Sequence, residues 1–233
     1  MQKENKKGNF YVVGTPIGNL NDMTFRAVEI LKSVDFILTE DTRVSGKLLK
    51  HFEIDKKMYS YNSHASEAKS EKIMEELESG KNIALISDAG TPTISDPGVK
   101  IISELREKFQ SKIEIIPIPG ATALISAISV SGFPASEFIF HGFLPHKKGR
   151  ETIFKEINQS KRTSIFYESP HRLMKALDSL EKFCGPERKI FVARELTKLY
   201  EEKIWSSVTE VKEFFQENEE KIRGEFVICV KGK

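Results

Sequence analysis

Between residues 10 and 118 the chain alternates short apolar runs with longer stretches whose apolar positions recur every three or four residues. FYVV (10–13), DFILTE (35–40), KMYSY (57–61), IALIS (83–87) and IEIIPI (113–118) have the length and the β-branched or aromatic content of strands. Residues 25–32 place Phe25, Val28 and Leu31 on one stripe, widened by Ala27 and Ile30. Residues 66–78 do the same with Ala68, Ile73, Met74 and Leu77 before a Ser79-Gly80 stop. Fully apolar strands separated by amphipathic helices predict a mostly parallel sheet covered on both faces.

PIPG (117–120) interrupts that rhythm and opens an apolar helix over 121–131, closed by the turn Gly132-Phe133-Pro134. Beyond it, EFIFHGF (137–143), TSIFYE (163–168), KIFVARE (189–195), KIWSS (203–207) and EFVICVKG (225–232) read as strands. Helices are expected near 151–158, at 170–183 and through 211–215. The expected division is a flexible polar tail at 1–9, an N-terminal α/β domain at 10–118 and a C-terminal α/β domain with a mixed sheet at 119–233.

Composition narrows the function classes. With 39% hydrophobic and 30% charged residues the chain matches ordinary globular domains, and its most apolar stretch, 121–130, is far shorter than the ~20 residues a membrane span needs. The first residues, MQKENKKGN, have no apolar segment behind them, so a cytoplasmic protein without a secretory signal is expected. A net charge of +2 gives no global nucleic-acid footprint. Locally, residues 141–172 carry Lys147, Lys148, Arg150, Lys155, Lys161, Arg162 and Arg172 against Glu151, Glu156 and Glu168. Cys184 and Cys229 lie far apart without CxxC or histidine spacing, so reduced, packed thiols and no metal are expected.

In open α/β sheets ligands sit beyond the carboxyl ends of strands, which directs attention to four loops. The first, Gly14-Thr15-Pro16-Ile17-Gly18-Asn19, matches neither GxGxxG nor GxxxxGK[ST], which disfavours a dinucleotide fold or a P-loop. Glu40-Asp41-Thr42-Arg43 sets carboxylates, a hydroxyl and a guanidinium at one strand end, either as chemistry or as a helix cap with a surface ion pair. Residues 87–98, SDAGTPTISDPG, form a rigid loop that brings backbone polar groups close to a ligand, and residues 117–122 open a helix of small residues.

Together VGTPIGNL (13–20), EDTR (40–43), SDAGTPTISDPG (87–98), PIPGATALISA (117–127), GFLP (142–145), FYESPHR (166–172), ARELTK (193–198) and RGEFV (223–227) span almost the whole chain. In these motifs the sequence resembles the tetrapyrrole-methylase-like S-adenosylmethionine-dependent methyltransferases, in particular the branch that methylates the 2'-hydroxyl of a cytidine ribose in bacterial 16S rRNA. The resemblance implies two α/β domains, the cofactor in the cleft between them, and a homodimer. Gly90-Thr91-Pro92 stands where the tetrapyrrole branch has Gly-Asp-Pro, and Thr15 to Asn19 where it has a Gly-Pro-Gly-Asp turn; both replacements speak against corrin or porphyrin substrates. The implied S-adenosylmethionine contacts are Pro16, Asp88, Ala89, Gly90, Thr91, Pro92, Ile94, Pro119, Gly120, Ala121, Thr122, Tyr167, Glu168, Gly224 and Glu225. The implied partner is 16S rRNA in the assembled 30S subunit. Longer relatives carry a further C-terminal segment, so RNA contacts made there are expected to be absent or replaced here.

Methyl transfer to a hydroxyl requires alignment and a base. The candidate bases are Glu40, Asp41, Glu168 and Glu195, with His64 ranked below them. Arg43, Arg172 and Arg194 suit phosphate or carboxylate partners through bidentate contacts. Lys147, Lys148, Arg150, Lys161 and Arg162 are expected to track the RNA backbone, with Phe143, Tyr167 or Trp205 as stacking surfaces, although Phe143 is expected in the core. Two other readings fit: a methyltransferase of a tetrapyrrole or other small molecule, and a cofactor-binding dimer without catalysis.

Overall fold

A computed structural model describes residues 7–62, 65–110 and 112–233 of the chain, which divides into two compact units, Met1–Thr122 and Ala123–Lys233. Residues 119–122, placed in the second domain by the expected division, group with the first unit.

The first unit holds strands β1 (Phe10–Val13), β2 (Phe36–Thr39), β3 (Lys57–Ser60), β4 (Ile83–Ile86) and β5 (Ile115–Ile118), in the order β3-β2-β4-β1-β5 and parallel throughout. Alternation decides which face each side chain serves. Phe36, Leu38, Ile83 and Leu85 pack with Ile73 and Leu77 of helix α3 (Glu67–Glu78) and Ile101 and Leu105 of α4 (Val99–Phe109). Ile37, Ala84 and Ile86 pack on the other side with Ala27 and Leu31 of α1 (Phe25–Ser33) and Leu49 of α2 (Thr42–His51). Helices therefore cover both faces, as continuous apolar strands require. The apolar pattern does not announce α2, which has Gly46 in its middle and buries only Ser45 and Leu49.

Residues 7–9 correct the expected tail. Gly8 donates to Leu77 O, Asn9 donates to Asn82 Oδ1, and a Cβ on Gly8 would collide with the main chain of Lys81. Residues 1–6 of that expected tail lie outside the described residues.

The second unit runs α5 (Ala123–Ser131), β6 (Phe138–Phe143), α6 (Arg150–Gln159), β7 (Thr163–Glu168), α7 (Pro170–Cys184), β8 (Lys189–Arg194), β9 (Glu202–Ser207), α8 (Val208–Glu217) and β10 (Phe226–Val230). Its sheet order is β6-β7-β10-β8-β9. The β6/β7 pair is parallel, and β10 runs antiparallel between β7 and β8. One face, with Phe166, Ile190, Val192, Phe226 and Ile228, packs on α6, α7 and α8 through Phe154, Leu173, Leu177, Val211 and Phe215. Helix α5 packs against β7 and β10 and buries Leu124, Ala127 and Ile128. Cys229 is buried, which pushes its thiol up to about 12, and Cys184 is raised by the same cause; neither is in a disulfide. No helix among the described residues is long and apolar enough to cross a membrane.

Candidate functional site

Because the first sheet is parallel, the loops after β1, β2, β4 and β5 leave from one edge. They are knitted together there by main chain. A Cβ on Gly120 would lie 2.7 Å from Gly14 O, and one on Gly14 would lie 2.8 Å from Gly120 Cα, so only glycines allow the first and last loops to touch. Thr15 N–H donates to Gly90 O at 2.9 Å and Gly90 N–H returns a bond to Thr15 O at 3.2 Å. Thr91 Oγ1 donates to Ala121 O at 3.1 Å, and Asp41 N–H donates to Asp88 Oδ1 at 3.2 Å. These contacts join the loops that carry Pro16, Asp88 to Pro92, Ile94 and Pro119 to Thr122; Pro16, Gly90 and Pro92 are buried among them, and Ile94 is exposed.

The third of these loops is strained. Gly90 and Gly98 are left-handed with φ of 85° and 126°, and so are the non-glycine residues Thr93 at 76° and Ser95 at 69°. At Thr93 and Ser95 such conformations cost on the order of 1–3 kcal/mol each and persist where the surroundings enforce them, most often at functional sites. They bring Asp96 beside Ser87 and within the field of Glu40 and Asp88. Burial pushes the Asp96 carboxyl up to about 6, against a hydrogen bond with Ser87 and with help from the charges of Glu40 and Asp88. Glu40 and Asp88 are themselves raised, chiefly by burial: at Glu40 the charges of Asp88 and Asp41 add to it, and at Asp88 the Asp41 N–H opposes it more than the Asp41 charge adds. Asp96 is absent from the bases expected from sequence; the available signal was a carboxylate between Ser95 and Pro97 in a loop with two glycines and two prolines.

Asp41 takes the other reading open to it. Its side chain accepts from Arg43 N–H as the cap of α2 and forms an ion pair with Arg43 at 2.6 Å, which holds its carboxyl down at about 2. A carboxylate so engaged is a poor base. Arg43 remains largely exposed beside it.

In the second unit the motif residues at the ends of β6, β7 and β8 and the start of β10 also converge on one edge. Phe226 pairs with Glu168 on one side and Arg194 on the other, and Phe143 pairs with Tyr167. Several of the expected roles are corrected at this edge. Glu168 is 1% exposed and bound by two guanidinium groups, Arg150 Nη2 at 2.9 Å and Arg172 Nε at 2.7 Å. Those arginines also donate to Pro145 O and Leu144 O. Glu168 is therefore inaccessible as a base or cofactor contact, and Arg150 and Arg172 face inward rather than toward RNA. Arg194 is buried, with its guanidinium on Arg223 O, Tyr200 O and Glu202, so it too is withdrawn from RNA. Glu195 packs over Gly224 and accepts from Lys198 Nζ at 2.8 Å and Glu225 N–H at 2.9 Å. Burial raises its carboxyl, but these donors outweigh burial and leave it below the usual range, the wrong direction for a base. Tyr167 accepts Leu124 N–H at 3.2 Å. His64 lies outside the described residues.

The basic run divides in two. Lys147 and Lys148 are exposed in the loop before α6, at the edge that carries Glu168. Lys161 and Arg162 precede β7, at its opposite end, and Arg162 pairs with Glu137. A strand of this length separates the two ends by ~17 Å, so they form no single patch. Phe143, expected in the core, is 57% exposed: a register shift between Phe140 and Phe143 turns the end of β6 outward. Trp205 is exposed on the edge strand β9.

Residues 9–212 match the family described as tetrapyrrole (corrin/porphyrin) methylases. The chain belongs to that family. It is 48% identical over 227 residues to a ribosomal RNA small subunit methyltransferase I from Synechocystis sp., covering 97% of this chain and 79% of that protein. The likeness to a protein of the same description from Escherichia coli is 44% over 230 residues, 98% of this chain and 79% of that one. Among solved structures, a uroporphyrin-III-C-methyltransferase from Thermus thermophilus aligns over 97% of this chain and 94% of its own with a TM-score of 0.63; at 17% identity it shows the shared fold alone. Among the described residues of this methylase no group of three or more His, Cys, Asp or Glu side chains is arranged to hold a metal.

Proposed function

We infer that this chain is an S-adenosylmethionine-dependent rRNA methyltransferase, acting on the 2'-hydroxyl of a cytidine ribose in 16S rRNA, with the assembled 30S subunit as substrate and a homodimer as the working form. The observation that carries the reading is the near-full-length likeness to small-subunit rRNA methyltransferases, 48% over 97% of the chain.

The N-terminal loops fit the cofactor. Gly14 and Gly120 let the first and fourth loops close on one another, which holds the loop edge together as a single platform. Glu40, Asp88 and Asp96 gather negative charge, which suits a ligand bearing ammonium and sulfonium groups. Pro16, Asp88 to Pro92, Ile94 and Pro119 to Thr122 would hold it. When bound, S-adenosylmethionine supplies an electrophilic methyl group on a sulfonium sulfur. Asp96 takes the proton of the ribose hydroxyl on a carboxylate oxygen. A carboxyl at about 6 is ionised at neutral pH yet binds a proton more tightly than an ordinary aspartate, as a general base must. Burial keeps it in that range, with a smaller contribution from the charges of Glu40 and Asp88. Lys147 and Lys148, and Arg43 on the first unit, contact the RNA backbone.

The reading is tested by incubating the chain and methyl-labelled S-adenosylmethionine with 30S subunits that lack the modification, followed by digestion and mass analysis of the nucleosides. Labelled 2'-O-methylcytidine is the expected product. Cofactor binding without label in any nucleoside would return a small-molecule substrate, or a role without catalysis, to first place.

A further inference from the structure

Away from the carboxylates of the N-terminal loops, the C-terminal unit contains a cavity of about 370 Å³ between the loop preceding α6 and the outer side of α7, whose lining includes His146, Lys147, Glu151, Lys175, Asp178 and Lys182. Its charges do not cancel. Asp178 is neutralised from outside by Lys212 at 2.8 Å, and Arg150 at the cavity wall is committed to Glu168. Lys147, Lys175 and Lys182 form no ion pair among the described residues, and Glu151 is the one carboxylate left to offset three lysines. Lys175 and Lys182 lie seven residues apart on α7, on one stripe of the helix, and Lys182 Nζ is steadied 4.9 Å from the Phe183 ring centre. Lys147 is brought opposite them by the buried Glu168 ion cluster, because Arg150 and Arg172 also fasten the carbonyls of Pro145 and Leu144 at the start of its loop.

We propose that this cavity seats a stretch of the RNA substrate's phosphate backbone, with Lys147, Lys175 and Lys182 as its counter-charges. The proposal rests on the rRNA-methyltransferase reading and extends it: none of the methyl-transfer residues lines the cavity, and neither α7 lysine belongs to the basic residues expected from sequence. Lysine recognises phosphate as a compact point charge and releases condensed counterions when it binds, without reading bases. The cavity thus orients RNA rather than selecting its sequence.

The test compares the full chain with Lys175→Glu/Lys182→Glu and with Lys32→Glu/Lys72→Glu, which makes the same change in net charge on exposed helix positions of the first unit. Binding to 30S subunits and to protein-free 16S rRNA is measured across a salt series. The expected result is a loss of about tenfold or more in RNA affinity for the α7 variant, with the slope of log K against log[salt] shallower by about 1.5. S-adenosylmethionine affinity is expected to be unchanged, and the control variant to stay close to wild type. Equal affinity and slope for the α7 variant and the control would overturn the proposal. So would weakened binding to 30S subunits with undiminished binding to protein-free rRNA, which would assign the contact to a ribosomal protein. Label transfer by the wild-type chain is scored in the same preparations. Failure of transfer strikes the functional reading, whereas the binding series decides the cavity.

Discussion

Asp96 is the residue at which stability and function pull in opposite directions. Its carboxyl is raised from 3.8 to about 6, so the folded chain binds that proton more tightly than the unfolded chain. The stabilisation this gives is complete below pH 3.8 and is lost as pH rises through about 6; above that, the ionised carboxyl works against the fold. Asp96→Asn is therefore expected to raise the melting temperature at about pH 7.5, by a free energy with a ceiling of about 3 kcal/mol, and the gain should vanish toward pH 4. Methyl transfer by the same variant should fall by roughly 10²–10⁴-fold while cofactor binding persists in calorimetry. The wild-type rate should rise through about pH 6 and level off above it. A variant that loses stability together with activity would remove Asp96 from the role of base. Glu168 behaves in the reverse sense. Glu168→Gln leaves two nearly buried guanidinium groups short of a counter-charge, with an expected cost of about 3–5 kcal/mol in urea unfolding.

At the scale of elements, the N-terminal site depends on contacts between loops rather than on any one loop. Gly120→Ala sets a methyl group 2.7 Å from Gly14 O, so the first and fourth loops must part. The expected outcome is a cofactor affinity lowered by about tenfold or more with unchanged far-ultraviolet circular dichroism, since the strain is of the order of 1–3 kcal/mol and local. The strands and most helices were legible in the sequence because burial on both faces, or on one stripe, writes itself into the apolar pattern. IALI (Ile83–Ile86) and the stripe of α3 are plain cases. Helix α2 was not, because Gly46 and its short apolar face leave little periodic signal. The loops too were legible as a group, but not which carboxylate among them is raised. That depends on burial and on like charges brought together by the fold. The Glu168 cluster was misread for a related reason: Arg150 lies 18 residues from Glu168, and no spacing rule shows that these charges face one another. Arg172 stands at the helical i,i+4 spacing, but Glu168 ends a strand, so that rule gives no signal there.

Over the whole molecule, a net charge of +2 hides how unevenly the charge is placed. Carboxylates gather at the loop edge of the first unit, while uncommitted lysines gather on the second around Lys147 and Lys148. Lys147→Glu/Lys148→Glu is expected to weaken rRNA binding by about tenfold and flatten its salt dependence, with cofactor affinity retained; Lys161→Glu, at the far end of β7, should do neither. The sheet order has a further consequence, for how the chain comes to be folded during its synthesis. Strand β1 is made first but sits between β4 and β5, pairing Phe10 with both Ile83 and Ile115. A parallel ladder of such long sequence separation cannot close until its last strand arrives. The first glycine turn therefore stays without its partner until β5 and Gly120 have left the ribosomal tunnel, and the apolar strands β1 and β2 wait exposed in the nascent chain for most of the time the N-terminal unit takes to be translated.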